Sequence, residues 1–233
     1  PTFSLWYGSS TSVKYLRSVF WKAYFSPYYL LQKAMVNKPE KGGILITNSK
    51  FSREVIRKHL GRNALVVYPP VRLDQYLPLM KNEERKDIVV TISRFTPEKS
   101  LEDVLRIACA LKRVKFVLIG STRSKISELY LNKLKRMAKK LNLENVSFFP
   151  NASFNEKIDL LSKSKVYLHT MREEHFGIAP VEGIASGCVP VVHRSGGPWM
   201  DILEERQGEY GFAYEEIEEA FNELVNVGKY ASV

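Results

Sequence analysis

From Asp87 onward, short and continuously apolar runs alternate with segments of helical period. No other feature restricts the fold so strongly. The runs at 88–93, 115–119, 146–149, 166–169 and 189–193 predict strands, and helical patterns lie near 100–112, 124–141, 154–163, 178–187 and 198–205. Strands alternating with helices form βαβ units with right-handed crossovers. Strands apolar along their whole length are covered by helices on both faces. The expected class is therefore α/β, a Rossmann-like parallel sheet. Ligands of such sheets bind outside the carboxyl ends of the strands. The segments there are 94–99, 120–124, 150–153, 170–177 and 194–198, rich in Gly, Ser, His and charge.

The front of the chain reads differently. Residues 11–37 predict helix, with an aromatic stripe of Trp21, Tyr24, Phe25, Tyr28 and Tyr29 flanked by Lys14, Arg17, Lys22 and Lys33. Ser26-Pro27 divides it, Ser as N-cap and Pro at the first position of a second helix. Gly42-Gly43 precedes a strand at 44–47. Asn48 or Ser49 caps a helix at 51–60, and a strand at 65–68 stops at Pro69-Pro70. No repeat or low-complexity segment is evident.

The 233 residues suit one large or two small domains, and 45% hydrophobic against 26% charged residues excludes disorder as the main state. No apolar run approaches the ~18 residues that span a bilayer. Cys109 and Cys188 are too far apart for a disulfide framework, and no Cys/His cluster suggests zinc, so a reducing compartment is expected. The formal charge is +10, with ten Lys/Arg against two Asp/Glu in residues 1–60 and two against nine in residues 201–233. A basic front implies nucleic acid, membrane headgroups or a phosphorylated substrate as partner. The chain starts at Pro1 without a signal-peptide pattern and reads as a piece of a longer protein.

The rim lacks a G-x-G-x-x-G fingerprint, a P-loop and a G-x-S-x-G elbow, which weakens the oxidoreductase, NTPase and hydrolase readings. Arg94 and Lys99 on one short loop bracket a diphosphate, or form a solvated pair before a helix whose Ser100 and Asp103 make a capping box. A helix starting near Ile178 has the stripe Ile178, Val181, Ile184, Ala185 and Cys188, with Glu182 at its edge. A carboxylate beside a core needs partners, and two ribose hydroxyls would pair it. Free N–H groups near Phe176, Gly177 and Ile178 make an anion site, with Glu174 just ahead. The alternative is a helix-dipole partner plus a surface acid. His169, His175 and His193 lack metal-ligand spacing and read as polar packing or sugar contacts. Ser195-Gly196-Gly197-Pro198 is a phosphate-facing loop or a tight turn.

As a set, these motifs resemble the retaining nucleotide-sugar glycosyltransferases of the GT-B fold, family 4, or group 1. The resemblance runs from about residue 44 to 212. It rests on S-R-F-T-P-E-K at 93–99, E-x7-E from Glu174 to Glu182, the A-S-G-C-V-P turn at 185–190 and S-G-G-P at 195–198. L-H-T-M at 168–171, E-H-F-G-I at 174–178, V-Y-P-P-V at 67–71 and Asp201-Ile202 are similar to one branch. That branch comprises α-1,2-mannosyltransferases that extend the dolichol-linked N-glycan precursor at the cytosolic face of the endoplasmic reticulum.

The resemblance implies a C-terminal, donor-binding GT-B domain over 71–233, with 1–70 a remnant of the N-terminal acceptor domain and linker. It implies transfer from a nucleotide-sugar donor, GDP-mannose, to a lipid-linked or other saccharide with retention of configuration. No cofactor or metal is implied, and this piece is expected to bind donor without transferring. Catalytic roles fall to Glu174 at the sugar and to Arg94 and Lys99 at the diphosphate. His175, Phe176, Gly177 and Ile178 assist, Glu182 takes the ribose, Pro150 and Asn151 lie near the base, and Ser195, Gly196 and Gly197 face the donor. The basic aromatic helices of 11–37 fit either a membrane contact, peripheral on the cytosolic face, or packing within a domain. Rival functions are a non-catalytic nucleotide-sugar-binding domain and a basic nucleic-acid-binding module. The second lacks an RRM, helix-turn-helix or zinc-finger signature, and no nucleic acid is expected.

Overall fold

Seven runs rich in Val, Ile, Leu, Phe and Tyr become strands, and six of the eight strands among the described residues form one wholly parallel sheet. The computed structural model describes residues 43–82 and 84–230 and positions 19, 20, 23, 24, 26, 27 and 30. A small front sheet pairs β1 (Ile46–Thr47) with β2 (Leu65–Val66) in parallel, joined by α1 (Lys50–Leu60). The Ser49 hydroxyl caps α1 by accepting from the Ser52 N–H, and Gly61 ends it in the left-handed conformation, φ 63°.

Two 3-10 turns, Leu73–Gln75 and Leu77–Lys81, lead into β3 (Lys86–Ile92). There follow α2 (Leu101–Ala110), β4 (Lys115–Gly120), α3 (Lys125–Lys140), β5 (Val146–Pro150), α4 (Phe154–Lys163) and β6 (Ser164–His169). The chain continues through α5 (Ile178–Ala185), β7 (Val189–His193), a π-helical turn Pro198–Ile202, β8 (Phe212–Tyr214) and α6 (Ile217–Tyr230). The order across the main sheet is β5-β4-β3-β6-β7-β8. Val89 faces Phe116 of β4 on one side and Val166 of β6 on the other.

Alternate residues of each strand feed two cores. Val89, Phe116, Leu118, Val166 and Leu168 pack with α2, α3 and α6, including Leu105, Leu134 and Leu224. Val90, Val117, Ile119 and Tyr167 pack on the other face with Tyr76, Leu161 and Ala185. Both faces are therefore covered, as the unbroken apolar runs demand. The Arg85 guanidinium stitches the second face by donating to the carbonyls of Leu79 (2.9 Å), Leu161 (3.2 Å), Ser164 (2.6 Å) and Ser186.

Several expectations change. β8 is an additional strand. Only three residues long and led in by Gly208 and Gly211, it lacks a periodic signal. The Ser100–Asp103 capping box is absent because Ser100 is left-handed, φ 51°, with no side-chain cap bond. The Tyr130 hydroxyl instead accepts from the Leu101 N–H at 3.1 Å. The stripe on α5 is rotated, with Pro180, Gly183 and Ala185 buried and Ile178 47% exposed. Gly183 lies on the Tyr167 ring, where an added Cβ would stand 2.5 Å from a ring carbon. A small-residue face lets the helix approach the sheet closely, and this outweighs the larger side chains. The expected helix at 198–205 is the π-helical turn. In the front stretch Val19, Phe20, Ala23, Tyr24, Ser26, Pro27 and Leu30 are helical and exposed. Ser26 is thus helical rather than a cap, and Trp21, Phe25, Tyr28 and Tyr29 lie outside the described residues.

Gly183→Ala should lower stability by about 1–3 kcal/mol through overpacking. Urea unfolding measures it, and an unchanged midpoint would mean that the ring can yield.

Candidate active site

The sheet order reverses at β3, whose neighbours β4 and β6 follow it by different routes, so a crevice opens between the loops after β3 and β6. On the first loop Phe95 is fully buried, and the 3-10 turn Pro97–Lys99 presents Lys99. The Thr170 hydroxyl, on the second loop, donates to the Lys99 carbonyl at 2.8 Å. Across the crevice Lys99 Nζ donates to Glu174 Oε2 at 2.5 Å, their side chains being 13% and 17% exposed. His169 Nε2, at the end of β6, stands 3.6 Å from the same oxygen.

Burial alone would raise the Glu174 carboxyl, yet His169 and Lys99 hold it down at about 2. Burial lowers the His169 imidazole despite the adjacent acid, which leaves the ring neutral near pH 7. The net result is one ammonium and one carboxylate, locked together where the two loops meet. Arg94 lies further out, 68% exposed and 3.6 Å from Glu98.

The loop after β7 lies along the backbone of the acid loop. Gly197 N–H donates to the Glu174 carbonyl at 2.7 Å, and the Ser195 hydroxyl accepts from the Glu173 N–H at 2.9 Å. A Cβ on Gly196 would stand 2.5 Å from the Glu174 carbonyl oxygen, and one on Gly197 2.4 Å from that of His175. These glycines serve close backbone approach, which positions Glu174. Gly177 begins α5 in the left-handed conformation, φ 96°. Pro180 at the third helical position has no N–H, so the unpaired donors are those of the residues just before it.

Glu182 is already satisfied by the chain. Tyr76 donates its hydroxyl to Oε1 at 2.7 Å, and Lys157 Nζ donates to Oε2 at 3.2 Å and to the Tyr76 hydroxyl oxygen at 2.6 Å. Burial, then the Glu182 carboxylate, push the Tyr76 hydroxyl well above its usual range. The partners that this acid needs are supplied in the chain itself by Lys157 and Tyr76. Neither was singled out from sequence. Lys157 follows a capping box of Ser153 and Glu156 that fixes the register of α4, a usable signal. Tyr76 lies 106 residues from Glu182 in an irregular connection, and no spacing rule finds it. Asn151, left-handed at φ 56°, bonds through its side chain to the Thr122 N–H (2.9 Å) and hydroxyl (2.8 Å) beside Pro150.

The front segment docks on this rim. Asp201 accepts from the N–H groups of Lys50 (2.6 Å) and Phe51 (3.2 Å) at the start of α1. His175 Nδ1 lies 3.0 Å from the Ser52 hydroxyl, and the Phe176 and Tyr68 rings are 5.4 Å apart. Between α1 and the acid loop is a cleft of about 1060 Å³ lined by Phe51, Arg57, Glu98, Met171, Arg172 and His175. Among the described residues no group of three or more His, Cys, Asp or Glu could hold a metal ion. The paired charges and helix start suit a ligand that is anionic at one end and rich in hydroxyls at the other.

The family described as "Glycosyl transferases group 1" matches residues 79–230. The chain is 34% identical over 197 residues to the Homo sapiens GDP-Man:Man(3)GlcNAc(2)-PP-Dol alpha-1,2-mannosyltransferase, covering 78% of this chain and 40% of that protein. It is 36% identical over 157 residues to the Xenopus laevis protein of the same name, covering 61% and 32%. It thus spans about two fifths of the length of the human relative. Among solved structures, a glycosyltransferase from Rickettsia africae ESF-5 superposes with a TM-score of 0.70 at 19% identity, covering 84% of this chain and 56% of that one. Anabaena Alr3699/HepE in complex with UDP-glucose superposes at 0.69 and 20%, covering 87% and 58%. At these identities the likeness concerns the fold.

A carboxyl at about 2 in the folded chain, against about 4.3 unfolded, contributes stability that is complete above the unfolded value and is lost as pH falls through the folded one. Lys99→Met strands that carboxylate and should cost about 3 kcal/mol at pH 7. The deficit should shrink below about pH 4, where protonation relieves the unpaired charge. Denaturant unfolding against pH reads it, and a pH-independent deficit would refute the pairing.

Proposed function

This chain belongs to the glycosyl transferases group 1 family, and from that premise we propose that it is the donor-binding part of a retaining mannosyltransferase. The donor is GDP-mannose and the acceptor a dolichol diphosphate-linked oligosaccharide, worked on at the cytosolic face of a membrane. Residues 71–233 hold the donor, and the segment before them belongs to the acceptor-side domain. The names of the human and frog relatives support the donor and acceptor. The observation that carries the reading is the Lys99–Glu174 pair at the point where the sheet order reverses.

Breaking the bond between the sugar C1 and the diphosphate leaves the electron pair on a phosphate oxygen, an acceptor hydroxyl oxygen bonds to C1 from the same face, and its proton passes to the departing phosphate oxygen. Lys99, assisted by the more exposed Arg94, neutralises the growing charge, and the N–H groups at the start of α5 add a fixed dipole. Glu174, kept ionised, accepts hydrogen bonds from sugar hydroxyls, with His175, Phe176 and Gly177 beside it. Glu182 takes the ribose hydroxyls on its remaining lone pairs, its orientation held by Tyr76 and Lys157. Asn151 and Pro150 border the base, while Ser195, Gly196 and Gly197 hold the acid loop in place.

In calorimetry GDP should bind more tightly than UDP or ADP. Glu182→Ala should weaken GDP by about tenfold to a hundredfold through loss of charged hydrogen bonds. Lys99→Met should weaken GDP but not guanosine. Indifference to Glu182→Ala, or equal loss of guanosine with Lys99→Met, would overturn these roles.

A further inference from the structure

The outer face of α3 has a pattern that neither the sheet nor the site uses. The helix buries Ser127, Tyr130, Leu131, Leu134 and Ala138. Helical period gathers Ile126, Leu129, Lys133, Arg136 and Lys140 on the opposite side, at steps of three and four residues. All five are exposed, Ile126 by 64% and Leu129 by 59%. Over residues 123–140 seven cations accompany one carboxylate, Glu128. Of the strip, Lys133 pairs with Glu102 at 2.6 Å and overlies the Tyr130 ring.

A helix face kept only for solubility mixes charge signs and does not collect large apolar side chains at one end. Here the apolar end points to the rim. α3 leaves the carboxyl end of β4, so Ile126 and Leu129 lie just after the loop whose Thr122 bonds Asn151. Lys140 and its neighbours lie at the far end. Single-stranded nucleic-acid binders set aromatic rings among their cations, and this strip carries none. Exposed Ile and Leu do suit the boundary between headgroups and acyl chains, with Lys and Arg reaching anionic headgroups around them.

We propose that the outer face of α3 docks on an anionic lipid bilayer and holds the rim beside it. The inference goes beyond the transferase reading and does not need it, because adhesion requires no donor.

Flotation with vesicles of phosphatidylcholine and phosphatidylserine in equal parts tests it, against phosphatidylcholine alone. The chain should float with the anionic vesicles. Lys125→Gln/Arg136→Gln/Lys140→Gln should bind at least about tenfold more weakly. Ile126→Ser/Leu129→Ser should also weaken binding, whereas Lys14→Gln/Arg17→Gln/Lys22→Gln should retain most of it. GDP affinity should not change in any variant, and its absence from the parent would sink the transferase reading alone. The docking surface is overturned if the parent ignores anionic vesicles or the α3 variants bind as the parent does. It is also overturned if duplex DNA binds as tightly and the apolar pair has no effect, since α3 would then be a polyanion site.

Discussion

Parallel strands cannot be joined by a tight turn, so every connection in the main sheet must leave the carboxyl edge and return on the opposite one. That constraint collects the loops of six strands along a single rim. The order β5-β4-β3-β6-β7-β8 then splits the rim at β3, where the loops after β3 and β6 diverge and leave a crevice. Lys99 and Glu174 are 75 residues apart in the chain and 2.5 Å apart in space because of it. The buried core on both faces keeps those strand ends from shifting, and with them the charges they carry.

Two partly buried acids lie at the rim, and each has a lysine partner. Lys99 faces Glu174, and Lys157 faces Glu182. Partly buried carboxylates carry a large desolvation penalty unless paired, so these lysines offset the burial of both acids. Both acids are therefore satisfied within the chain itself. A neutral His169 beside Glu174 adds polarity without a second cation. The cost is that either lysine, once removed, leaves its acid in surroundings chosen for a pair.

The acid loop is held from three sides by groups far apart in sequence. The glycines after β7 lie on its backbone, Thr170 fastens it to the loop of Lys99, and His175 reaches Ser52 of α1. Asp201 binds the first N–H groups of α1 and so ties the front segment to the same rim. Movement of α1 would therefore be felt at His175, one residue from Glu174, which couples the two walls of the cleft.

Much of this was legible without coordinates. The apolar runs located the strands of the main sheet apart from β8, and the E-x7-E and S-G-G-P patterns put Glu174 and Ser195 on one edge, because periodicity and turn chemistry are local. Tyr76, the burial of His169 and the rotated face of α5 were not legible. Tyr76 depends on Glu182, 106 residues away in the chain, the burial of His169 on the packing around the end of β6, and the helix face on the Tyr167 ring beneath Gly183. The order of side chains thus determined which elements form and which loops share the rim. Only packing in three dimensions decided which acid meets which base, since ion pairs and close helix contacts are set by distances through space that sequence separation does not encode.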